Sequence, residues 1–245
     1  MIYSVTLNPS IDYVIELPRL NLGAVNRLAH DVKLPGGKGI NVSRILQTLG
    51  LPTTAWGFLG GFTGTFIQDK LDALAMPCDF TKVKVDTRIN VKLKAESETE
   101  LNASGPAISE TEIADFKAKL ANLKSGDVVI MSGSLPKGLP STFYRDLIPL
   151  IHAHDADFVI DTTGQALLDT LPDHPLVVKP NHHELAALFN DAPYTSHEAI
   201  IKAGRRLLDL GAQHVLISMA GGGALMIEQD HAWFGNVPKQ PAVNS

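Results

Sequence analysis

The sequence predicts an α/β protein in which helices cover a mostly parallel sheet. Strand-like and helix-like segments alternate along most of the 245 residues, which is typical of strand–helix–strand units. Two regions break this alternation, because each contains two strand-like segments without a helix between them. These regions are Tyr13–Glu16 with Leu28–Leu34, and Ile89–Ala95 with Glu98–Leu101. They predict a small separate sheet of the kind that forms a lid over a site.

The elements of the main sheet are predicted from apolar runs, capping residues and glycine stops. Gly39–Leu49 is predicted to be a helix, since it carries spaced apolar residues and Gly50 is placed as its C-terminal stop. Ser109 and Glu112 form a capping-box pattern, which predicts a helix that continues to about Leu123. The remaining predicted elements are the strands Ile2–Leu7, Thr53–Leu59, Val128–Met131, Phe158–Ile160, Leu176–Val178 and Val215–Ser218, and helices at Ser141–His152, after Pro180 and at Glu198–Leu210.

Composition and charge argue against several classes of protein. Apolar residues make up 44% of the chain and charged residues 19%, which is ordinary for a globular protein with a sizeable core. The net charge of −5 gives no overall field that favours nucleic acid or anionic lipid, so we expect neither nucleic acid nor membrane as a partner. An anionic substrate must therefore be held by a few local cations and backbone N–H groups. No apolar run approaches the ~20 residues of a membrane span, and the start lacks the features of a signal peptide, which predicts a cytoplasmic protein.

Two widespread nucleotide-binding patterns, G-x-x-x-x-G-K-S/T and G-x-G-x-x-G, are absent from the sequence, which argues against a Walker-type ATPase and a dinucleotide-binding dehydrogenase. A different glycine-rich segment, Pro35–Val42, opens the first predicted helix. Its glycines allow the backbone to approach a ligand closely, and helix N-terminal N–H groups favour anions or hydroxyls. Lys38 adds a charge, and Asn41 is placed to contact a sugar hydroxyl. Alone, the segment is more typical of a tight turn with a solvent-facing lysine, so its interpretation depends on its companions.

Those companions are polar residues that follow strands or flank the predicted lid. Asp12, after the first strand, can accept hydrogen bonds from two sugar hydroxyls, and Arg88 places a cation beside the lid. Ser134 lies in a loop of small residues after a strand, where open α/β sheets bind ligands. Asn181 and Glu184 share one face at the start of a helix, and such oxygen ligands suit Mg²⁺ that is held largely through water.

Together these motifs resemble the PfkB branch of the ribokinase-like carbohydrate kinases, and closely its 1-phosphofructokinases. The family's N-terminal signature corresponds to Gly36–Asn41, and its N-x-x-E motif to Asn181 and Glu184. The resemblance implies one C-terminally incomplete domain over residues 1–245, folded as a ribokinase-like three-layer αβα sandwich, with lid segments at residues 12–34 and 88–102. It also implies phosphorylation of fructose 1-phosphate to fructose 1,6-bisphosphate by ATP with Mg²⁺. A homodimer that associates through the lid is a further expectation.

By the same resemblance, individual residues acquire expected roles. The substrate-binding residues are expected to be Asp12, Arg27, Gly36, Gly37, Lys38, Asn41, Arg88, Asn102 and Ser134. Arg27 and Arg88 are the expected phosphate clamps, because a guanidinium matches phosphate with two parallel hydrogen bonds. The ATP-binding residues are expected to be Lys179, Asn181, Ser218, Gly221 and Gly223, and Mg²⁺ is expected on Asn181 and Glu184 through water.

Two departures from the family pattern concern the nucleotide loop and the catalytic base. The family loop reads roughly S-x-G-x-x-G, whereas Ser218–Gly223 has Ala220 at the first glycine position, where Gly221 is expected to substitute in a shifted turn. The family's G-A-G-D motif, which holds the Asp base, is expected just beyond Ser245, so no catalytic residue is assigned. Lys239–Ser245 resembles a strand interrupted in mid-course. The chain is therefore expected to bind sugar phosphate weakly and to transfer phosphate poorly.

Other functions remain open from the sequence. Tagatose 6-phosphate kinase would use the same chemistry on a related ketose phosphate. A kinase of nucleosides or unphosphorylated sugars is more distant, since it would not need the two arginines near the lid. A different class, a sugar-phosphate-binding fragment without catalysis, would be consistent with the absence of the G-A-G-D segment.

Overall fold

The computed structural model describes residues 1–237, so the predicted interrupted strand at Lys239–Ser245 lies outside the described residues. In chain order the strands are β1 Ile2–Thr6, β2 Ser10–Glu16, β3 His30–Gly36, β4 Thr53–Gly60, β5 Cys78–Val83, β6 Arg88–Lys94, β7 Glu98–Asn102, β8 Val128–Ser132, β9 Asp157–Asp161, β10 Val177–Val178, β11 His214–Ser218, β12 Ala224–Ile227 and β13 Ala232–Gly235. The α-helices are α1 Lys38–Thr48, α2 Gly61–Ala73, α3 Glu110–Lys119, α4 Phe143–His152, α5 Gln165–Leu168, α6 His182–Phe189 and α7 His197–Asp209.

The main sheet is parallel through most of its width. Within residues 1–237 it contains nine strands in the order β13-β12-β11-β10-β9-β8-β1-β4-β5. In this order, neighbouring strands from β11 across the sheet to β5 pair in parallel. At the other end, β12 pairs antiparallel with both β11 and β13. The predicted α/β class with a mostly parallel sheet is confirmed. Since parallel strands end at the same edge, loops that follow β1, β8, β9, β10 and β11 lie side by side.

Helices pack against both faces of this sheet, which gives three layers. Strand β4 shows this directly, because its side chains alternate between two apolar clusters. Ala55 and Leu59 pack with Ile67 of α2, whereas Phe58 packs with Phe116 of α3, 5.1 Å apart between ring centroids. No helix among the described residues is long and apolar enough to cross a membrane.

A second sheet in the order β3-β2-β6-β7 stands apart from the main one and forms the lid. Strands β2 and β6 pair in parallel, with Asp12 opposite Asn90. Because side chains alternate along a strand, Ser10 and Asp12 of β2 share a face with Arg88, Asn90 and Lys92 of β6. That face lines the cavity described below.

The predicted elements are confirmed to within a few residues, including the capping box of Ser109 and Glu112 that begins α3. Helices α2 and α5 and strands β5, β12 and β13 were not predicted. Helix α2 begins directly after β4 at Gly60 and Gly61, without a side-chain cap, so its start carries no polar signal. Its residues show little separation of apolar and polar faces, because Phe62 is exposed while Thr63 and Gly64 are buried.

Candidate functional site

A cavity of about 790 Å³ lies between the lid and the carboxyl ends of β1 and β8. Most of the residues predicted to bind substrate line it together. These are Asp12, Gly37, Lys38, Asn41, Arg88, Asn102 and Ser134. The fold therefore brings Asp12, Arg88 and Ser134 into one space with the glycine-rich segment, although they come from distant parts of the chain.

The glycines before α1 are needed because the backbone passes close to two side chains. Gly37 has φ 130, and a Cβ at this position would lie 2.5 Å from the Cγ2 of Thr6. A Cβ on Gly36, which lies beside the cavity, would be 2.4 Å from Oδ1 of Asp12. The backbone N–H of Ile40 donates to Oγ1 of Thr6 at 3.0 Å. The start of α1 therefore packs closely against the end of β1 and against the carboxylate of Asp12.

Asp12 is held by a network of lid side chains. The Ser10 hydroxyl donates to Oδ1 of Asp12 at 2.7 Å, and the Asn90 amide donates to Ser10 at 3.1 Å and to the same Oδ1 at 3.4 Å. The ammonium of Lys92 lies 3.8 Å from Oδ2 of Asp12 and 3.6 Å from a carboxylate oxygen of Glu100. Since the close donors use Oδ1, Oδ2 is left to accept hydrogen bonds from a ligand.

Arg88 joins the base of the lid to the end of β1. Its Nε donates to the carbonyl oxygen of Asn8 at 3.1 Å, and its Nη1 donates to the carbonyl oxygen of Ala103 at 2.8 Å. Burial lowers the pKa of the guanidinium, while Asp12 acts in the opposite direction. The two backbone contacts fix the side chain, and no contact to Nη2 is recorded among the residues that the structure describes.

The loop after β8 is held in place by hydrogen bonds from Tyr144 and Asn8. The Tyr144 hydroxyl lies 2.9 Å from the carbonyl oxygen of Ser132 and 3.1 Å from that of Gly133. Burial raises the pKa of the Tyr144 phenol far above its usual value, with the Asp161 carboxylate adding to the effect, so this donor stays protonated. The Asn8 amide donates to Oγ of Ser134 at 3.4 Å. Ser134 is thereby presented to the cavity on a supported loop.

Arg27 is not brought into the cavity. It lies on the exposed segment between β2 and β3, and none of the residues that line the cavity belongs to that segment.

The residues predicted to bind ATP lie at the carboxyl ends of β10 and β11. We call this group the β10–β11 edge; it consists of Lys179, Asn181, Ser218, Gly221 and Gly223. Asn181 and Ser218 form an isolated parallel bridge, and the Ser218 N–H donates to the carbonyl oxygen of Pro180 at 3.3 Å. This edge lies outside the cavity lining.

Asn181 and Glu184 form a capping box at the start of α6. Oδ1 of Asn181 accepts from the N–H groups of His183 at 2.9 Å and Glu184 at 2.8 Å, and Oε2 of Glu184 accepts from the Asn181 N–H at 2.7 Å. Both oxygens are therefore used in capping the start of the helix, and direct chelation of a metal by the pair does not fit. Oε1 of Glu184 has no recorded donor among residues 1–237, so it can face a metal-bound water. No group of three or more His, Cys, Asp or Glu side chains within the described residues converges to hold a metal.

The glycine-rich turn after β11 places a left-handed residue at Ala220. Ala220 has φ 48, and the Gly223 N–H donates to its carbonyl oxygen at 3.1 Å. Gly221 has no positive φ, so it does not replace the missing glycine in a shifted turn, contrary to expectation. Gly223 has φ 92, and a Cβ there would lie 2.4 Å from the carbonyl oxygen of Gly235. Only glycine fits at Gly223, whereas alanine at 220 is strained.

One carboxylate that connects the cavity with the β10–β11 edge was not predicted from the sequence. Asp161 ends β9, and its Oδ1 lies 3.3 Å from the ammonium of Lys38 and 3.5 Å from that of Lys179. It was missed because it follows a strand with no recognisable partner nearby in sequence.

Other missed residues are polar side chains that line the cavity. They are Thr6, Asn8, Ser10, Asn90, Lys92, Glu100, Ser104, Ser132 and Lys137. The alternating polar residues of β6, at positions 88, 90 and 92, were a signal for a ligand-facing strand. Lys137 carried no such signal, because only the path of its loop brings it to the cavity.

Comparisons with known proteins agree with this geometry. A family model described as pfkB family carbohydrate kinase matches residues 5–245. A 1-phosphofructokinase of Bacillus subtilis (strain 168) is 44% identical over 100% of this chain and 80% of that protein. A tagatose-6-phosphate kinase of Staphylococcus epidermidis (strain ATCC 12228 / FDA PCI 1200) is 34% identical over 100% of this chain and 80% of that protein. The crystal structure of phosphofructokinase-2 from Escherichia coli in complex with fructose-6-phosphate is similar with a TM-score of 0.92 and 29% identity, covering 99% of this chain and 82% of that one.

Proposed function

Since the chain belongs to the pfkB family of carbohydrate kinases, we propose that it transfers a phosphoryl group from ATP to fructose 1-phosphate, forming fructose 1,6-bisphosphate. The observation that carries the proposal is the cavity, which combines hydroxyl-binding groups with cations. A ligand with several hydroxyls and one phosphate matches this combination. The 1-phosphofructokinase of Bacillus subtilis, with 44% identity, supports this choice of substrate.

The sugar is held by groups on both sides of the cavity. Oδ2 of Asp12 accepts hydrogen bonds from sugar hydroxyls, while the Ser10 and Asn90 contacts to Oδ1 keep the carboxylate in place. Asn41 lies one turn into α1 and offers an amide to a further hydroxyl. These groups orient the sugar so that its free primary hydroxyl points toward the β10–β11 edge.

The phosphate that the substrate already carries binds at Arg88. Its guanidinium is fixed by the carbonyl oxygens of Asn8 and Ala103, so it loses little side-chain entropy when the ligand arrives. Ser134 lies on the loop that Asn8 also supports, and its hydroxyl adds a second donor. Lys92 contributes positive charge on the same lid face.

ATP binds at the β10–β11 edge, with Lys179 near its phosphates and the turn at 220–223 allowing close backbone approach. Mg²⁺ would be held through water by Oε1 of Glu184 and by the ATP phosphates, and when bound it would neutralise charge on the transferring group. This suits Mg²⁺, which keeps several waters and takes only one or two carboxylates from a protein. The cytoplasm, where ATP is available, is the proposed location.

Tagatose 6-phosphate kinase is the alternative, supported by the relative of that name at 34% identity. The two substrates differ in stereochemistry and in the position of the phosphate, while the same cavity groups serve both. A sugar-phosphate-binding protein without catalysis is the alternative from another class. It predicts binding of the sugar phosphate without any production of ADP.

The test is a coupled ADP assay of the full-length protein against fructose 1-phosphate, tagatose 6-phosphate, fructose 6-phosphate and unphosphorylated fructose. We expect kcat/KM to be highest for fructose 1-phosphate. A preference for tagatose 6-phosphate would select the alternative kinase. Binding of a sugar phosphate by calorimetry without ADP production on any acceptor would favour the non-catalytic alternative.

A homodimer through the lid is part of the proposal. The segment between β2 and β3 exposes Leu22 and Val25 to 89% each, and a second lid would cover such side chains. Arg27 lies in this segment, so dimerisation is one route by which it can reach a sugar phosphate. Arg27→Ala should then raise KM for fructose 1-phosphate, and wild-type KM should rise on dilution below the dimer dissociation constant. A monomer by sedimentation, with KM independent of protein concentration, would reject the dimer.

A further inference from the structure

Asp161 lies between the cavity and the β10–β11 edge. It is the last residue of β9, whose neighbours are β8, which leads to Ser134, and β10, which leads to Lys179. Its backbone carbonyl accepts from the Gly133 N–H at 3.3 Å, which ties it to the loop of the cavity. One oxygen of its carboxylate, Oδ1, lies close to both ammonium groups, 3.3 Å from that of Lys38 and 3.5 Å from that of Lys179.

These ion pairs are poorly placed to stabilise the fold. The side chains of Lys38 and Lys179 are 49% and 40% exposed, and pairs that involve exposed lysines contribute little to stability. The Asp161 side chain, in contrast, is only 11% exposed, and a buried carboxylate is costly unless it is paired. Among residues 1–237, the ion pairs of this carboxylate are made with two partly exposed lysines at the edge of a cavity, and such an arrangement is more readily explained by the ligands of those lysines.

We propose that Asp161 is a positioning residue that holds Lys38 and Lys179 at the point where the two substrates meet. Lys38 begins α1 on the sugar side, and Lys179 follows β10 on the ATP side. A shared carboxylate oxygen keeps both ammonium groups close to the path of the transferring phosphoryl group. Phosphoryl transfer depends mainly on positioning and electrostatic stabilisation, so a misplacement of ~1 Å can cost roughly 10²-fold in rate. The inference rests on the proposed kinase function.

The kinetic test compares Asp161→Asn with the wild type and with lysine variants of the full-length protein. We expect Asp161→Asn to lower kcat on the order of 10²-fold, while KM for fructose 1-phosphate and for ATP each change by less than about threefold. In a Lys38→Met/Lys179→Met background, Asp161→Asn should lower kcat by less than about twofold further, because groups that act through one another are not additive. Asp157→Asn, an exposed carboxylate at the other end of β9, is the matched control and should leave kcat unchanged.

A second measurement needs no turnover. The lysines are labelled briefly with acetic anhydride and quantified by mass spectrometry, with exposed Lys124 as the internal standard. An amine paired with a carboxylate is less available to the reagent, so Asp161→Asn should raise labelling of both Lys38 and Lys179 several-fold relative to Lys124. This result would support the positioning role even if the preferred acceptor proves not to be fructose 1-phosphate.

Several outcomes would overturn the inference. Unchanged kcat in Asp161→Asn, or unchanged labelling of the two lysines, would show that the carboxylate does not position them. Fully multiplicative effects of the aspartate and lysine variants would show that Asp161 acts on the reactants directly. Failure of the proposed function is seen separately, as wild-type turnover of a different acceptor, and the same variants are then compared on that acceptor.

Discussion

The cavity and the β10–β11 edge are built in different ways. The cavity is assembled from side chains of the lid, of α1 and of the loop after β8, and these are already held by one another, as Asp12 is held by Ser10 and Asn90. The β10–β11 edge consists of a helix start and a turn, in which short segments satisfy most of their own hydrogen bonds, and the bridge between Asn181 and Ser218 joins the two. In the proposed function, recognition of the sugar phosphate therefore depends more on long-range packing, and the ATP side more on local backbone structure.

The largest expected effect comes from the cavity. Arg88→Ala should raise KM for fructose 1-phosphate by about 10- to 100-fold and KM for ATP by less than about threefold, since a charge-assisted hydrogen bond is lost only on the sugar side. Steady-state kinetics with each substrate varied in turn measures this. Arg44→Ala, which removes an exposed arginine of α1, is the control and should change neither constant. Equal increases in both constants would contradict the division into two regions.

A smaller effect on binding of the sugar phosphate is expected from Gly36→Ala. The added methyl group would meet Oδ1 of Asp12 at 2.4 Å, so the carboxylate must move. We expect KM for fructose 1-phosphate to rise by about 10-fold, because small displacements of a binding group are costly. The control is Gly221→Ala, where a Cβ meets no atom within 4 Å, and it should leave this KM unchanged. Unaltered sugar binding in Gly36→Ala would mean that Asp12 does not contact the sugar.

The two capping boxes sharpen the comparison on the ATP side. Glu184→Gln should raise the Mg²⁺ concentration for half-maximal rate by roughly 10-fold, because an amide binds the metal's waters more weakly than a carboxylate does. Binding of fructose 1-phosphate should stay intact. Glutamine still serves in a capping box, so α6 should persist. Glu112→Gln makes the same change in the remote box of α3 and should not alter the Mg²⁺ titration. Identical titrations for both variants would remove Glu184 from the site.

Glu112 should instead affect stability in a pH-dependent way. Burial opposes ionisation of this carboxyl, but hydrogen bonds from Ser109 and the Lys84 N–H prevail and lower its pKa. A lowered folded-state pKa contributes stability above the unfolded value of about 4.3, and this contribution is lost as the pH falls through the folded pKa. Wild type should therefore exceed Glu112→Gln in free energy of unfolding by about 1 kcal/mol at pH 7. Urea titrations should show the gap closing below pH ~4, and a gap independent of pH would contradict it.

The smallest effect concerns the strained turn. Ala220→Gly should raise the free energy of unfolding by up to about 1 kcal/mol and Tm by about 2–4 °C, since glycine adopts positive φ without strain. Ala75→Gly, at an alanine with φ 49 beyond α2, is the control and should stabilise similarly. Only Ala220→Gly should tighten ATP binding by calorimetry. Destabilisation by Ala220→Gly would show that the left-handed conformation is not strained.

Prediction from the sequence succeeded for features whose pattern lies within a few neighbouring residues. The start of α6 was predicted with Asn181 and Glu184 on one face, and the structure adds that the pair forms a capping box that uses two of the oxygens expected for a metal. The strands of the lid were visible because they interrupt the alternation of helices and strands. Helix α2 was missed, since Gly60 and Gly61 begin it without a cap.

By itself, the sequence determined the starts of α1, α3, α4, α6 and α7, the glycine-rich approach to α1 and the order of the motifs, because these depend on neighbours within a few residues. Only the tertiary structure decided that Arg88 lines the cavity while Arg27 does not, and that Asp161 joins Lys38 to Lys179. Those contacts depend on the strand order of the main sheet and on the register between β2 and β6. A shift of one residue in that register would turn Asp12 or Arg88 away from the cavity, and no local pattern in the chain specifies it.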